Sequence, residues 1–289
     1  MVRRALVFGS AILGMVLIFK VLSVEYVSIK AKLDPPFDCT ANSPVPQTFV
    51  DTWTTAHNPG SFNLTVIDLV EGCSYAMGDP AATFPTASTG KVIVATRVLE
   101  MVADGSLDYA AISSDLDLMI TESSNEAANR LFLAIGENAG IASVVERYAL
   151  TSTILGRTWG TILTNSSDQA LLLNQVVGAA ESPLPEAQRT ILRDLMMRVK
   201  PEQAWGAGSR ADLPELWTAA VKNGWYLSVE GDRPPVGLWR INTVGYVWDE
   251  TKQPRWIFTG YSNTWPTQDG GEQAWNAVTK QLSATLGIR

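Results

Sequence analysis

The pattern of apolar and polar residues places strands towards both ends of the chain. Residues 47–57 repeat their apolar positions with a helical period, and residues 62–69 and 73–77 alternate as the two strands of a hairpin. An amphipathic helix closes the chain at residues 271–286. Before it, strand patterns return at residues 217–221, 239–248 and 255–261. Together the two ends predict a sheet covered by terminal helices.

The middle of the chain is predicted to be helical throughout. Residues 88–103 carry apolar side chains on nearly every face, which is typical of a buried helix, and Gly105 marks its end. Shorter helices are predicted at residues 115–121, 125–135, 141–149, 167–180 and 185–199. We therefore expect an α/β (α+β) fold with one antiparallel sheet, flanking terminal helices and an inserted all-helical domain. The expected domain spans residues 47–287, with a sheet part at 47–87 and 207–287 and a helical part at 88–206.

The first residues differ in character from the rest. Arg3 and Arg4 precede an apolar run at residues 5–24 that is interrupted by Lys20. About 20 apolar residues cross a bilayer as a helix, and arginines in front of the run indicate that this end stays inside. Residues 1–32 therefore predict a membrane anchor, followed by a linker at 33–46 and an extracytoplasmic domain. A cleaved signal peptide, which would release a secreted protein, and a buried helix are the alternatives.

Composition excludes several classes of function. The chain has 46% hydrophobic residues and a formal net charge of -7, so it can form a large core and its surface would repel nucleic acid. A single histidine and two cysteines are too few for a Cys/His zinc cluster, and we expect no metal site. In an oxidising compartment, Cys39 and Cys73 are expected to form one disulfide, with two separate buried thiols as the alternative.

Candidate chemistry begins at the start of the long buried helix. Ser88 and Lys91 are three residues apart and share one face of its first turn, so the amine can reach the hydroxyl. Burial and the positive end of a helix both lower the pKa of a lysine, which makes a neutral amine available as a base. The alternative is a capping serine beside a lysine whose ammonium extends to water.

Two further motifs follow in order along the chain. Ser123 and Asn125 precede a helix, and Lys222, Asn223 and Gly224 lie on a late strand. S-x-x-K, then S-x-N, then K-x-G resembles the pattern of the penicillin-binding protein and class A β-lactamase superfamily. The resemblance covers roughly residues 45–287 and includes the flanking segments 119–129 and 242–248. Segments 201–206 and 222–225 are similar to those of class-A-like exported actinobacterial serine hydrolases.

The resemblance implies a β-lactamase/transpeptidase-like fold and a role for each nucleophilic or basic residue. Ser88 would attack a carbonyl and become acylated, with Lys91 as the base that takes its proton. Ser123 would relay a proton between Lys91 or Lys222 and the leaving nitrogen. Backbone N–H groups of Ser88 and Trp225 would form the oxyanion hole. This chemistry requires no cofactor.

The same resemblance implies the substrate contacts. Asn125 would bond the substrate's side-chain amide and help to fix Lys91. Lys222 and Asn223 would lie at the substrate carboxylate, and Gly224 would let the backbone approach the ligand. The substrate would be a small β-lactam or peptidoglycan-peptide-like molecule.

Three departures from the family pattern bear on the reaction. Asn223 replaces a residue that usually carries a hydroxyl, and Ser124 replaces the usual aspartate of the second motif. Class A β-lactamases carry a loop glutamate that activates the deacylating water, yet residues 151–167 contain no acidic residue. We therefore expect a serine hydrolase that forms an acyl-enzyme at Ser88 with β-lactam or D-alanyl-peptide-like substrates and deacylates slowly.

Two other functions remain compatible with the motifs. A true β-lactamase would need another group to activate water, and Glu122 and Glu126 are the candidates. A non-catalytic module with the same fold would bind cell-wall peptide or a β-lactam without turnover.

Overall fold

The computed structural model describes residues 37–178, 181–209, 213–232 and 235–287. The chain divides into two units, Met1–Asn42 and Ser43–Arg289. The described part of the first unit is a turn in which Asp38 Oδ1 accepts backbone N–H bonds from Thr40 and Ala41, at 2.9 and 3.0 Å. The predicted membrane segment, residues 5–24, lies outside the described residues. In the described ranges, no helix is both long enough and apolar enough to span a membrane.

The second unit contains a five-stranded antiparallel sheet. Its strands are β1 (Phe62–Asp68), β2 (Cys73–Gly78), β5 (Thr218–Leu227), β6 (Trp239–Trp248) and β7 (Pro254–Trp265). They lie in the order β2-β1-β7-β6-β5, so the N-terminal hairpin and the three C-terminal strands lie side by side in one sheet. A separate two-stranded sheet pairs β3 (Phe84–Pro85) with β4 (Leu163–Thr164).

Helices cover both faces of this sheet. They are α1 (Gln47–His57), α2 (Gly90–Ala103), α3 (Tyr109–Thr121), α4 (Asn125–Ala134), α5 (Asn138–Arg147), α6 (Ser166–Val176), α7 (Glu186–Met197) and α8 (Gln268–Leu286). The terminal helices α1 and α8 pack on one face, while α6, α7 and α2 pack on the other. The predicted fold, an antiparallel sheet flanked by terminal helices with an inserted helical part, is confirmed.

An aromatic cluster joins the terminal helices to the sheet. The ring of Trp53 packs against Phe62, Trp265 and Trp275, and its Nε1–H donates to Ala274 O at 2.8 Å. Aromatic side chains bury large areas, and edge-on pairs add about 0.5–1.5 kcal/mol beyond that burial. This cluster holds α1, near the start of the unit, against α8 at its end.

Helix α2 lies in the large hydrophobic core that the helices form against the sheet. Its side chains are fully buried at Val92, Ile93, Val94, Ala95, Val98 and Leu99. Burying each of the valine, isoleucine and leucine side chains contributes about 1.5–3 kcal/mol. Lys91 is also fully buried on this helix, and a buried ammonium is costly unless other groups compensate for it. A buried lysine at the start of α2 therefore marks a candidate functional site.

Several predicted boundaries differ from the structure. The middle of the chain is not entirely helical, because β4 returns to pair with β3. Strand β5 extends to Leu227 and places the third motif in mid-strand. The sequence pattern did not show the full length of β5, because Lys222 and Asn223 are polar residues that are nevertheless buried. Helix α3 begins at Tyr109, since the Asp108 carboxylate caps it by accepting from Ala110 N.

The predicted disulfide is confirmed. Both cysteines of the chain, Cys39 and Cys73, are in the disulfide-bonded state, and the described residues contain no free cysteine. The alternative of two separate thiols is excluded.

Candidate active site

Ser88 lies in a single 3-10 turn, Ala87–Thr89, directly before α2. Ala87 has a φ of 48°, a left-handed conformation that costs a non-glycine residue about 1–3 kcal/mol unless its surroundings fix it. Two hydrogen bonds supply that constraint, from Thr86 N to Ile162 O at 2.8 Å and from Ala87 N to Gly160 O at 2.9 Å. The loop before β4 therefore holds the turn that carries Ser88.

The Lys91 amine is the centre of the site. Its Nζ lies 3.0 Å from Ser88 Oγ, 3.0 Å from Ser123 Oγ, 2.6 Å from Ser123 O and 2.8 Å from Asn125 Oδ1. An ammonium has three hydrogens, so these four acceptors compete for it. Burial lowers the pKa of Lys91 to about 7, against the opposing effect of the Glu126 charge. Near neutral pH a large fraction of Lys91 is a neutral amine that can accept a proton.

Ser123 joins α3 to α4 with a left-handed backbone, at a φ of 58°. Both its carbonyl and its hydroxyl are within hydrogen-bonding distance of Lys91 Nζ. The next residue, Ser124, caps α4 by accepting from Ala127 N at 3.2 Å. The cap fixes the start of α4, and with it the position of Asn125.

The third motif reaches Ser88 through Gly224. A Cβ built on Gly224 would lie 2.8 Å from both Ser88 N and Thr86 O, so only glycine allows β5 this close to the turn. Lys222 is almost fully buried, and its Nζ donates to Asn223 O at 2.9 Å. Burial, and secondarily the Lys91 charge, hold the pKa of Lys222 well below its ordinary value.

The structure corrects the prediction for Asn223. Its side chain is almost fully buried, and Nδ2 donates to Gln203 O at 2.8 Å and to Trp205 O at 3.0 Å. Both amide hydrogens are thus taken by backbone carbonyls rather than directed at a substrate carboxylate. Asn223 anchors the chain around Gln203 and Trp205 to β5, and the ring of Trp205 packs edge-on against Trp225.

A cavity of about 360 Å³ opens beside Ser88. Its lining comprises Ala87, Ser88, Asn125, Thr158, Trp159, Gly160, Thr161, Trp225, Tyr226, Leu227, Val229 and Asp232. A volume of this size is typical of small-molecule sites. Of the predicted site residues, Ser88, Asn125 and Trp225 line the cavity, while Lys91 lies buried behind Ser88.

Sequence reasoning missed Trp159. Its ring centroid is 4.5 Å from Lys91 Nζ, and its Nε1–H donates to Asn129 Oδ1 at 2.9 Å. The available signal was a loop without acidic residues, 151–167, that carries one large aromatic side chain.

The acidic residues near the site have other contacts. Glu122 is exposed and pairs with Lys200 at 3.1 Å, and Glu126 is exposed with Ser124 Oγ at 3.3 Å from its carboxylate. Asp232 lines the cavity, and it accepts from Val229 N at 2.8 Å. Within the ranges that the structure describes, no three metal-ligating side chains form a group.

Comparison with known proteins gives relatives of two kinds. No family model matches the chain. The putative lipoprotein LppW of Mycobacterium tuberculosis is 30% identical over 173 residues, which are 57% of this chain and 54% of LppW. LppW of Mycobacterium bovis matches to the same extent. The chain therefore spans about half the length of the curated relatives it matches.

Solved structures share the fold over most of the chain. An ancestral class A β-lactamase has a TM-score of 0.66 at 20% identity, over 81% of this chain and 97% of that one. A β-lactamase from Xanthomonas campestris has a TM-score of 0.67 at 20% identity, over 82% and 97%. L2, solved in complex with relebactam, has a TM-score of 0.64 at 19% identity, over 80% and 92%. At these identities the likeness is one of fold.

Proposed function

We propose that this chain, which has the fold of the class A β-lactamases, is an exported serine hydrolase. It forms an acyl-enzyme at Ser88 with β-lactam or D-alanyl-peptide-like substrates and hydrolyses that acyl-enzyme slowly. The observation that carries the proposal is the 3.0 Å contact between Lys91 Nζ and Ser88 Oγ, made by a lysine whose burial lowers its pKa to about 7. A nucleophile and a base matched to neutral pH are the requirements of acyl transfer.

Acylation begins when the neutral amine of Lys91 takes the proton of the Ser88 hydroxyl. Oγ then forms a bond to the substrate carbonyl carbon, and the carbonyl oxygen becomes an oxyanion. The backbone N–H groups of Ser88 and Trp225 stabilise that charge. Two observations support this pair of donors: both residues line the cavity, and Gly224 allows β5 to lie against Ser88 N.

The tetrahedral intermediate collapses when the carbon–nitrogen bond breaks. The leaving nitrogen takes a proton from Ser123 Oγ, which is replaced by the proton held on Lys91, 3.0 Å away. Asn125 Oδ1 accepts from Lys91, so its Nδ2 is left to donate to the substrate's amide carbonyl. A substrate carboxylate beside Lys222 favours the charged form of that lysine, whose pKa burial has lowered.

Deacylation requires a base that activates water. The loop at residues 151–167 supplies no carboxylate, and the Glu122 carboxylate is paired with Lys200. Glu126 is exposed with Ser124 Oγ 3.3 Å from its carboxylate, and the Asp232 carboxylate accepts from Val229 N. We therefore expect the ester on Ser88 to be long-lived, which would distinguish this chain from an efficient β-lactamase.

Export is supported by two observations. The relatives named LppW are described as putative lipoproteins, and disulfides persist in oxidising compartments outside the cytoplasm. Both cysteines, Cys39 and Cys73, are disulfide-bonded and offer no free thiol for a lipid. We propose residues 5–24 as the anchor instead. Fractionation of cells with an alkaline wash should leave the chain in the membrane pellet, whereas a shortened chain in the medium would show that the segment is cleaved.

Intact-mass analysis of the full chain, incubated with benzylpenicillin, tests the acyl-enzyme. We expect a persistent adduct that Ser88→Ala loses and that the exposed-serine control Ser114→Ala keeps. Penicillin consumed without a lasting adduct would contradict slow deacylation and indicate a true β-lactamase. If no adduct forms and no penicillin is consumed, the proposed chemistry with β-lactams is contradicted and the non-catalytic binding module is favoured.

A further inference from the structure

We infer that Trp159 excludes hydrolytic water from the acyl group on Ser88 and thereby sets the lifetime of the acyl-enzyme. The inference rests on the proposed function, because it concerns the second half of that reaction. Trp159 lines the same cavity as Ser88, and its ring faces the Lys91 amine at 4.5 Å. The indole is thus in contact with the proposed base for acylation.

The indole is held in place from two directions. Its Nε1–H donates to Asn129 Oδ1 at 2.9 Å, across from the loop to helix α4. Its backbone carbonyl accepts from Thr86 Oγ1 at 2.8 Å, beside the nucleophile turn. A Cβ built on Gly90 would lie 2.2 Å from Trp159 O, so glycine at the start of α2 is required for the loop to dock this closely. These backbone contacts fix the position of residue 159 beside α2, and the Nε1–H bond to Asn129 holds the ring over Lys91.

The position of the ring limits which proton acceptors a water molecule beside the ester can reach. The other groups around Lys91 Nζ are Ser88 Oγ, Ser123 and Asn125, all of them used in acylation. The indole packs over Nζ beside these groups; it is a hydrogen-bond donor only, and its N–H is already bound to Asn129. Water beside the ester therefore meets an apolar ring in place of a proton acceptor.

Hydrolysis of the ester requires a proton transfer from water to a base, and Trp159 prevents this transfer. A water oxygen must bond to the ester carbonyl carbon while a base accepts one of its protons. The carbon–Oγ bond then breaks, and Ser88 Oγ recovers a proton as the free acid leaves. With Trp159 present, Lys91 has no water on its indole side to deprotonate. A smaller side chain at this position admits water, and a carboxylate supplies a base as well.

An activated ester separates the two half-reactions. With p-nitrophenyl acetate, the initial burst of nitrophenol measures acylation of Ser88, and the later steady rate measures hydrolysis. We expect Trp159→Ala to keep the burst amplitude and raise the steady rate by about tenfold. Trp159→Glu should raise it by about 10²-fold or more, the usual contribution of a general base. Trp159→Phe keeps an apolar ring, so its steady rate should stay within about threefold of the unmodified chain. Leu155→Ala, an exposed change on the same loop, is the matched control.

Each outcome decides between the two proposals. Full bursts with unchanged steady rates in Trp159→Ala and Trp159→Glu would overturn the role of Trp159 alone. A burst no larger than that of Ser88→Ala would overturn acylation at Ser88, and this inference with it. If the Trp159 variants lose both the burst and their thermal stability, Asn129→Leu tests the role of Trp159 instead. Asn129 is exposed, and this change removes the acceptor of the indole N–H, so the ring is free to move. A raised steady rate in Asn129→Leu supports the inference, and an unchanged rate overturns it.

Discussion

The protonation of Lys91 determines how acylation depends on pH. Desolvation disfavours the charged amine, so the pKa falls from 10.5 to about 7. At that pKa about half of the chains carry the neutral base at pH 7, and about 1% carry it at pH 5. An unperturbed lysine would be neutral in only about 0.03% of chains at pH 7. The acylation rate constant should therefore rise about tenfold per pH unit up to pH 7 and level off above it.

Timed quenching of the benzylpenicillin reaction, followed by intact-mass analysis, measures this rate constant between pH 5 and 9. Lys91→Met removes the base and should slow acylation by about 10²-fold or more. The matched control is Lys200→Met, which removes an exposed amine that pairs with Glu122 at the surface. This control should keep both the rate and its midpoint.

Two results would refute the reasoning. A rate constant independent of pH, or one that still rises tenfold per unit between pH 8 and 9, would show that a Lys91 amine with a pKa of about 7 is not the base. Acylation by Lys91→Met within tenfold of the unmodified chain would show the same.

Three further predictions follow from the contacts around the site and from the disulfide. Glu126→Gln should move the midpoint of the pH profile downwards, by less than about one unit for an exposed charge, because the Glu126 carboxylate raises the pKa of Lys91. The double change Cys39→Ser with Cys73→Ser should lower the free energy of unfolding in urea by on the order of 3 kcal/mol. Gly224→Ala should slow acylation by about 10²-fold, since its Cβ would lie 2.8 Å from the nucleophile's backbone nitrogen and displace an oxyanion donor.

Each of these has a control or a contrary outcome. Glu146→Gln removes another exposed carboxylate and should leave the midpoint of the pH profile in place. An equal shift in both glutamate variants would point to net charge as the cause. Unchanged urea midpoints after loss of both cysteines would contradict a stabilising bridge. Acylation at the normal rate in Gly224→Ala would contradict the proposed oxyanion hole.

Local patterns predicted the parts of the fold and site that depend on one element. An apolar pattern on all faces identified α2 as buried, and the three-residue spacing placed Lys91 within reach of Ser88. The helix α1 and the strand β6 also have their predicted bounds. In these cases, the periodicity of a single segment carries the information.

Contacts between distant segments could not be predicted from such patterns. Asn223 anchors a distant segment because its amide donates to the carbonyls of Gln203 and Trp205. The spacing of residues in the sequence does not predict this contact. Trp159 lies on a loop without periodicity, and its partner Asn129 belongs to another element. Strand β4 has two residues, too few to show alternation. The sequence therefore predicted the contact between Ser88 and Lys91 better than it predicted the residues that surround them.

The pairing of β1 with β7 has a consequence for how the chain is made. Val66 lies opposite Phe258, so β1 meets its central neighbour only after roughly 190 further residues have been synthesised. Until then β1 has β2 alone beside it, and an isolated two-stranded ribbon is marginally stable. Long-range pairing of this kind is slow and leaves an open strand edge exposed in the meantime. The chain therefore cannot complete its sheet before its last strands emerge, and β1 stays without its central neighbour until β7 has been synthesised.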